Sequence, residues 1–190
     1  MSGVIVCAGI PRSGTTMMFR ALAGLPPGRQ TPSGEFGVQK THTPDPSSLQ
    51  HVDKAIFLFG NPIHSVISTR QRRYGQKHFE NCGAGDRDPE TTDIYHEDAL
   101  NYERMFDEWT HNSRFDTLCV RYETLYENLE VIQAFFPGRH LYIPPKQARL
   151  TDIESSVTGE ELEVIKATYA GLIEKIDGAP DISIRRKTAV

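Results

Sequence analysis

Nine residues near the start of the chain, Ala8-Gly9-Ile10-Pro11-Arg12-Ser13-Gly14-Thr15-Thr16, bring together glycines, hydroxyls and one cation in a pattern suited to phosphate. They follow a short apolar run and precede a helical one, so they occupy a strand-to-helix turn. A helix start reached through such a turn offers unpaired N–H groups and the positive end of a dipole to an anion. The spacing from Gly9 to Gly14 is that of a nucleotide-binding phosphate loop, with Thr16 at the hydroxyl position. Thr15, however, stands where such loops carry the lysine that reaches the β- and γ-phosphates, and the nearest cation is Arg12 inside the loop. The loop is therefore less suited to a triphosphate with magnesium. It better suits a nucleotide whose 5′ end carries one phosphate joined to a smaller transferable group.

Pro11-Arg-Ser-Gly-Thr-Thr16 closely resembles the 5′-phosphosulfate loop of the sulfotransferases that use 3′-phosphoadenosine 5′-phosphosulfate (PAPS). Three further segments match that family in the same order. Lys40-Thr-His42 with Pro44 is similar to the lysine–threonine–histidine element of the cytosolic branch. Phe59-Gly-Asn-Pro62 with Ser68 is similar to the 3′-phosphate segment, and Val120-Arg-Tyr-Glu-Thr-Leu125 to a later strand-to-helix stretch.

The resemblance implies sulfuryl transfer from PAPS to a hydroxyl or amine of a small-molecule or glycan acceptor, with adenosine 3′,5′-bisphosphate (PAP) as product and no metal required. It implies that Arg12 contacts the bridging oxygen. Pro11, Ser13, Gly14, Thr15 and Thr16 complete the loop, whose backbone and hydroxyl groups donate to the phosphosulfate. His42 is the expected general base, since an imidazole near its ordinary pKa accepts a proton at neutral pH. Glu35 is the other candidate, because some branches use a carboxylate. Lys40, on the same side of an extended strand as His42, would stabilise charge on the transferring group. Ser68 would hydrogen-bond the 3′-phosphate, and Asn61-Pro62 would start the helix that carries it.

One position departs from the family. The residue eight before the serine is usually arginine, a strong phosphate partner, and here it is Gly60. Arg70, with Arg72 and Arg73 beside it, is the first candidate to replace it. Arg185-Arg186-Lys187 is a second, although a frayed basic tail is the preferred reading there. Asp45, Asp86, Asp88, His78, Cys82 and His96 are scattered without a metal-ligand spacing, and substrate contact is the better expectation for some of them. For Phe79, Tyr95, Tyr102 and Trp109 a place in the core is preferred to an acceptor-binding wall.

The elements that must position these residues follow from hydrophobic pattern. Val4–Ala8, Ala55–Phe59 and Thr117–Arg121 are short, non-alternating apolar runs, as expected of strands covered on both faces. Helices are predicted over Thr15–Ala23, Ile63–Arg73 and Ile94–His111, the last from Tyr95, Ala99, Tyr102, Phe106 and Trp109. Another should follow the capping box Thr158-Gly-Glu-Glu161 and run to Gly178. Alternation of strands and helices predicts an α/β fold of the P-loop type: three layers with a central, mainly parallel sheet. Residues 74–92 read as a long substrate-lid loop within a single domain spanning 1–190.

The chain has 190 residues, 38% apolar and 24% charged, with a net charge of −4. That balance argues against binding a nucleic-acid polymer. Three cysteines without a paired framework, no signal-peptide pattern and no membrane-length apolar run lead to an expectation of a soluble, cytoplasmic protein with no membrane partner. The oligomeric state is left open. Two other readings stand beside the sulfotransferase: a P-loop phosphotransferase (kinase) of a small metabolite, and a non-catalytic nucleotide- or carbohydrate-binding module.

Overall fold

The computed structural model of the chain describes residues 3–25, 37–72, 74–145 and 152–188. In chain order the elements are β1 (Val4–Gly9), α1 (Thr15–Leu22), β2 (Val38–Thr41), β3 (Val52–Phe59), α2 (Pro62–Gln71), α3 (Gln76–Asn81), α4 (Tyr102–Thr110), β4 (Asp116–Arg121), α5 (Leu129–Phe135), α6 (Gly159–Thr168), α7 (Ala170–Asp177) and β5 (Ile182–Arg185). A 3₁₀ stretch, Tyr122–Asn128, joins β4 to α5.

The five strands form one sheet in the order β2-β1-β3-β4-β5, parallel except for β4 against β5. Successive side chains on a strand point to opposite faces, so the apolar runs feed two cores. Val6, Ala8, Ala55, Phe57, Phe59 and Cys119 pack on one face under α2, α4, α6 and α7. Cys7, Ile56, Leu58, Leu118 and Val120 pack on the other under α1 and α5. The chain leaves β1 toward β2 on one side and returns across β1 to β3. In open α/β sheets the crevice outside the strand ends at such a reversal is where ligands bind.

The predicted strands are present, and four differences from expectation have causes visible in the structure. The helix expected from Ile94 begins only at Tyr102, because Asn101 is left-handed (φ 55°) and the Asp98 carboxylate accepts the N–H groups of Tyr102 and Glu103 at 2.9 Å. Ile94, Tyr95 and Ala99 are nonetheless buried, in turns, which is why the aromatic spacing imitated a longer helix. The stretch 74–92 is not a plain loop: α3 lies inside it, fixed by the buried Phe79. The C-terminal helix breaks at Tyr169 into α6 and α7, and that tyrosine hydroxyl donates to the Ile94 carbonyl at 2.8 Å. The basic tail is not frayed either. Ile182–Arg185 pairs with β4, and Asp116 then accepts from Arg186 Nη1 and from the Lys187 N–H, both at 2.8 Å.

The capping box that starts α6 is complete. Thr158 Oγ1 accepts the Glu161 N–H at 3.1 Å, and Glu161 Oε2 accepts the Thr158 N–H at 2.8 Å. Thr158→Ala is expected to lower stability by about 1 kcal/mol, while Thr158→Ser leaves it nearly unchanged. Urea unfolding midpoints at unchanged slope check this; equal loss in both variants would assign the effect to something other than the cap. Among the described residues no helix is long and apolar enough to cross a membrane.

Candidate active site

The turn after β1 takes its shape from close contacts that only particular residues allow. A Cβ on Gly9 would lie 2.5 Å from the Leu58 carbonyl oxygen. Gly14 has φ 83°, and a Cβ there would lie 2.6 Å from the Tyr122 ring. Arg12 also takes a left-handed conformation, φ 73°, which is uncommon outside glycine. The chain therefore turns sharply into α1, whose start carries no side-chain cap. Its N-terminal dipole and N–H groups are the features that favour an anion.

This turn is one wall of a cleft of about 880 Å³ lined by Pro11, Arg12, Gly14, Thr15, Thr16 and Met17. Gln39, Lys40, Thr41 and His42 line it from β2 and the residue after it, Ser68 from α2, His78 and Asn81 from α3, and Tyr122 from the end of β4. The described lining holds an arginine, a lysine and two imidazoles and no carboxylate. In a chain of net charge −4 this is a local concentration of basic groups. Thr15 is only 3% exposed, and its hydroxyl has no hydrogen-bond partner among the described residues. A buried, unsatisfied hydroxyl is costly unless a ligand completes it.

β2 sets the geometry of Lys40 and His42. Cys7 pairs with Lys40 and Ala8 with Thr41, so His42 emerges beside Gly9. Nδ1 of His42 lies 2.7 Å from the Gly9 carbonyl oxygen. A carbonyl only accepts, so Nδ1 carries the proton and Nε2 holds the lone pair of the neutral ring. Burial pushes the His42 pKa down to about 4, against the Gly9 hydrogen bond and helped by Lys40, His78 and Arg12. The Lys40 ammonium donates to Thr16 Oγ1 at 3.3 Å. Burial also holds its pKa below the ordinary lysine range, with Arg20 adding to the effect against the opposing Cys7.

The structure thus gathers Pro11, Arg12, Gly14, Thr15, Thr16, Lys40, His42 and Ser68 around one cleft. Ser13 is placed differently. Its Oγ sits 2.6 Å from the Ile10 carbonyl oxygen and 2.9 Å from that of Leu58, so its one proton is shared between backbone carbonyls of the loop and β3 instead of facing an anion. Asn61 caps α2, its Oδ1 accepting from Ile63 and His64, as its helix-starting role requires, but it is not part of the cleft lining. Arg70 points elsewhere: it pairs with Asp93 at 2.8 Å and lies over the Tyr95 ring. Arg72 caps the end of α2, exposed and away from the lining. Arg186 and Lys187 are held on Asp116. Glu35 and Arg73 lie outside the described residues.

At Gly60 a side chain would meet Glu123, whose carboxylate oxygens are both 2.9 Å from the site of a Cβ and whose Oε1 accepts the Asn61 N–H. The position where the resembled family has a cation therefore faces a carboxylate here. Five lining residues carry no role assigned from the sequence: Met17, Gln39, Thr41, Asn81 and Tyr122. Asn81 has no sequence signal because α3 lies inside a stretch without periodicity, whereas His78, one of the scattered polar residues for which substrate contact is an expectation, does line the cleft. Of the aromatic residues, Phe79, Tyr95, Tyr102 and Trp109 are all core, and none lines the cleft. Among the described residues no group of three or more His, Cys, Asp or Glu side chains comes together as a metal site. The chain matches no protein-family model and no curated protein.

Proposed function

We propose that this protein is a sulfotransferase on a P-loop-type α/β scaffold, moving a sulfuryl group from PAPS to a hydroxyl or amine of a small-molecule or glycan acceptor. The observation that carries the reading is the meeting of the 9–14 turn, Lys40 and His42 in one cleft with no carboxylate in its described lining. The uncapped start of α1 and the buried Thr15 hydroxyl fit an anionic phosphosulfate. When bound, the donor supplies an activated sulfuryl group on a phosphate leaving group.

The protein's part is electrostatic and proton-handling. Arg12, Lys40 and Thr16 hold the 5′ end and neutralise charge that builds on the leaving phosphate. His42 accepts the acceptor's proton on Nε2, the only basic atom left once Nδ1–H is committed to Gly9. Thr15 at the position where phosphate loops carry lysine weighs against a kinase, because the cation that would reach the β- and γ-phosphates is not there. One observation favours a non-catalytic nucleotide-binding module: Glu123 at Gly60 weakens the expected hold on a 3′-phosphate.

Thermal unfolding with three ligands separates these readings. A ligand that binds only the folded state stabilises it by about 2.7 kcal/mol at one hundred times its Kd. PAP is expected to raise the melting temperature more than AMP, and ATP with magnesium least. A larger shift with ATP and magnesium would point to the kinase. Stabilisation by PAP without turnover of PAPS under an acceptor screen would point to the binding module.

A further inference from the structure

Across the cleft from the turn, α3 presents a second imidazole. On a helix, residues three apart share a face, and α3 divides accordingly: Phe79 and Cys82 are fully buried in the core, while His78 and Asn81 line the cleft. The helix is anchored where it matters. The Asn101 amide donates to the Cys82 carbonyl at 2.9 Å. Gly83, at φ 70°, packs so closely on Pro44 that a Cβ would lie 2.9 Å from its ring. Pro44 lies two residues after His42, so this contact ties α3 to the segment that carries the proposed base.

The His78 and His42 rings are 6.2 Å apart between centroids, tilted by 33°. The two rings face one cleft, each as part of its lining, without a hydrogen bond between them. Nε2 of His78 has no hydrogen-bond partner among the described residues. Burial, with Arg12 and Lys40 adding to it, lowers the His78 pKa, so the ring is neutral with one N–H to give.

We propose that α3 forms the acceptor side of the cleft, and that a ring N–H of His78 donates to the acceptor oxygen whose proton passes to Nε2 of His42. The inference rests on the sulfotransferase reading and extends it to the acceptor. In the step, the acceptor O–H bond breaks and its proton goes to His42. The acceptor oxygen bonds to sulfur, and the bond from sulfur to the nucleotide's phosphate oxygen breaks with its electron pair left on that phosphate, beside Arg12 and Lys40. Asn81, one turn along, offers a second polar contact to an acceptor with neighbouring hydroxyls.

Water is the smallest acceptor and allows a test before the natural one is identified. Wild type, His78→Ala, His78→Asn and His78→Gln are compared for PAPS hydrolysis, for PAP affinity, for affinity of the PAP-bound protein for inorganic sulfate, and for melting temperature. The asparagine and glutamine variants keep an N–H donor near one or the other ring nitrogen. His78→Ala is expected to lower hydrolysis 10- to 100-fold and sulfate affinity about 5- to 10-fold. PAP affinity and melting temperature stay near wild type, and at least one amide variant recovers most of both losses. Unchanged hydrolysis and sulfate affinity in His78→Ala, an equal loss of PAP affinity, or failure of both amide variants overturns the acceptor role and leaves the donor reading intact. A wild-type protein that neither binds PAP nor consumes PAPS overturns the donor reading, and the acceptor role falls with it.

Discussion

His42→Ala is expected to cut sulfuryl transfer by about 10²- to 10⁴-fold, the usual contribution of a positioned general base. PAP affinity is expected to persist, because the loop, Arg12 and Lys40 are untouched. The variant also strips the Gly9 carbonyl of its donor, at a cost of about 1 kcal/mol that unfolding would register separately. Turnover of PAPS in the presence of an acceptor, beside PAP titration by calorimetry, checks both halves. Wild-type turnover in the variant would remove His42 from the base role, and parallel loss of turnover and PAP affinity would make it a binding residue.

The pH dependence has a definite sign. In the folded protein burial holds His42 at about 4, while an unfolded histidine titrates near 6.5. Between those values the unfolded state binds more protons, so His42 lowers stability as pH falls through that window, and His42→Ala removes its share of the slope. A pKa of about 4 also makes a weak base at neutral pH. An anion bound beside the ring favours the imidazolium and raises the pKa, so base strength grows when the donor is in place. The acid limb of kcat, which reports the complex, should therefore lie at higher pH than that of kcat/KM, which reports the free enzyme. Coincident limbs would mean that the anion does not approach His42.

How much of this was legible in the chain depended on whether the deciding contact was local. β1, β3 and β4 could be read because both faces are buried, which leaves unbroken apolar runs. The capping box was readable because its partners are three residues apart. β5 was missed: Ile182-Ser-Ile-Arg is four alternating residues whose strand character comes from pairing with β4. At the candidate site, the glycine-spaced turn and the Lys-Thr-His element are read from local sequence, and their residues line one cleft. What no local pattern carries is a partner far along the sequence, such as Asp93 for Arg70 or the Glu123 carboxylate that faces Gly60. The nearness of His78 to His42 is likewise not local, since it depends on how α3 packs, through Phe79 and Cys82 in the core and Gly83 against Pro44.

Trp109→Ala is expected to destabilise the protein by about 3–5 kcal/mol, the range for emptying a buried aromatic site. The indole is fully buried, stacked on Phe57 at 5.7 Å and 2° and tilted against Phe115. Its Nε1–H also donates to the Thr43 carbonyl at 2.9 Å, and Thr43 follows His42 directly. Core packing and placement of the base therefore share one side chain, and a second variant separates them. Trp109→Phe keeps an aromatic ring against Phe57 but leaves the Thr43 carbonyl without its donor. It is expected to cost about 1–3 kcal/mol and, in molecules that remain folded, to lower kcat for PAPS turnover more than it weakens PAP binding. Urea unfolding of both variants gives the stabilities, and kinetics at a temperature where Trp109→Phe is fully folded gives the catalytic share. A cost below about 1 kcal/mol for Trp109→Ala would contradict its place in the core. An unchanged kcat in Trp109→Phe would show that β2 and the Gly9 hydrogen bond hold His42 without help from the helix behind them.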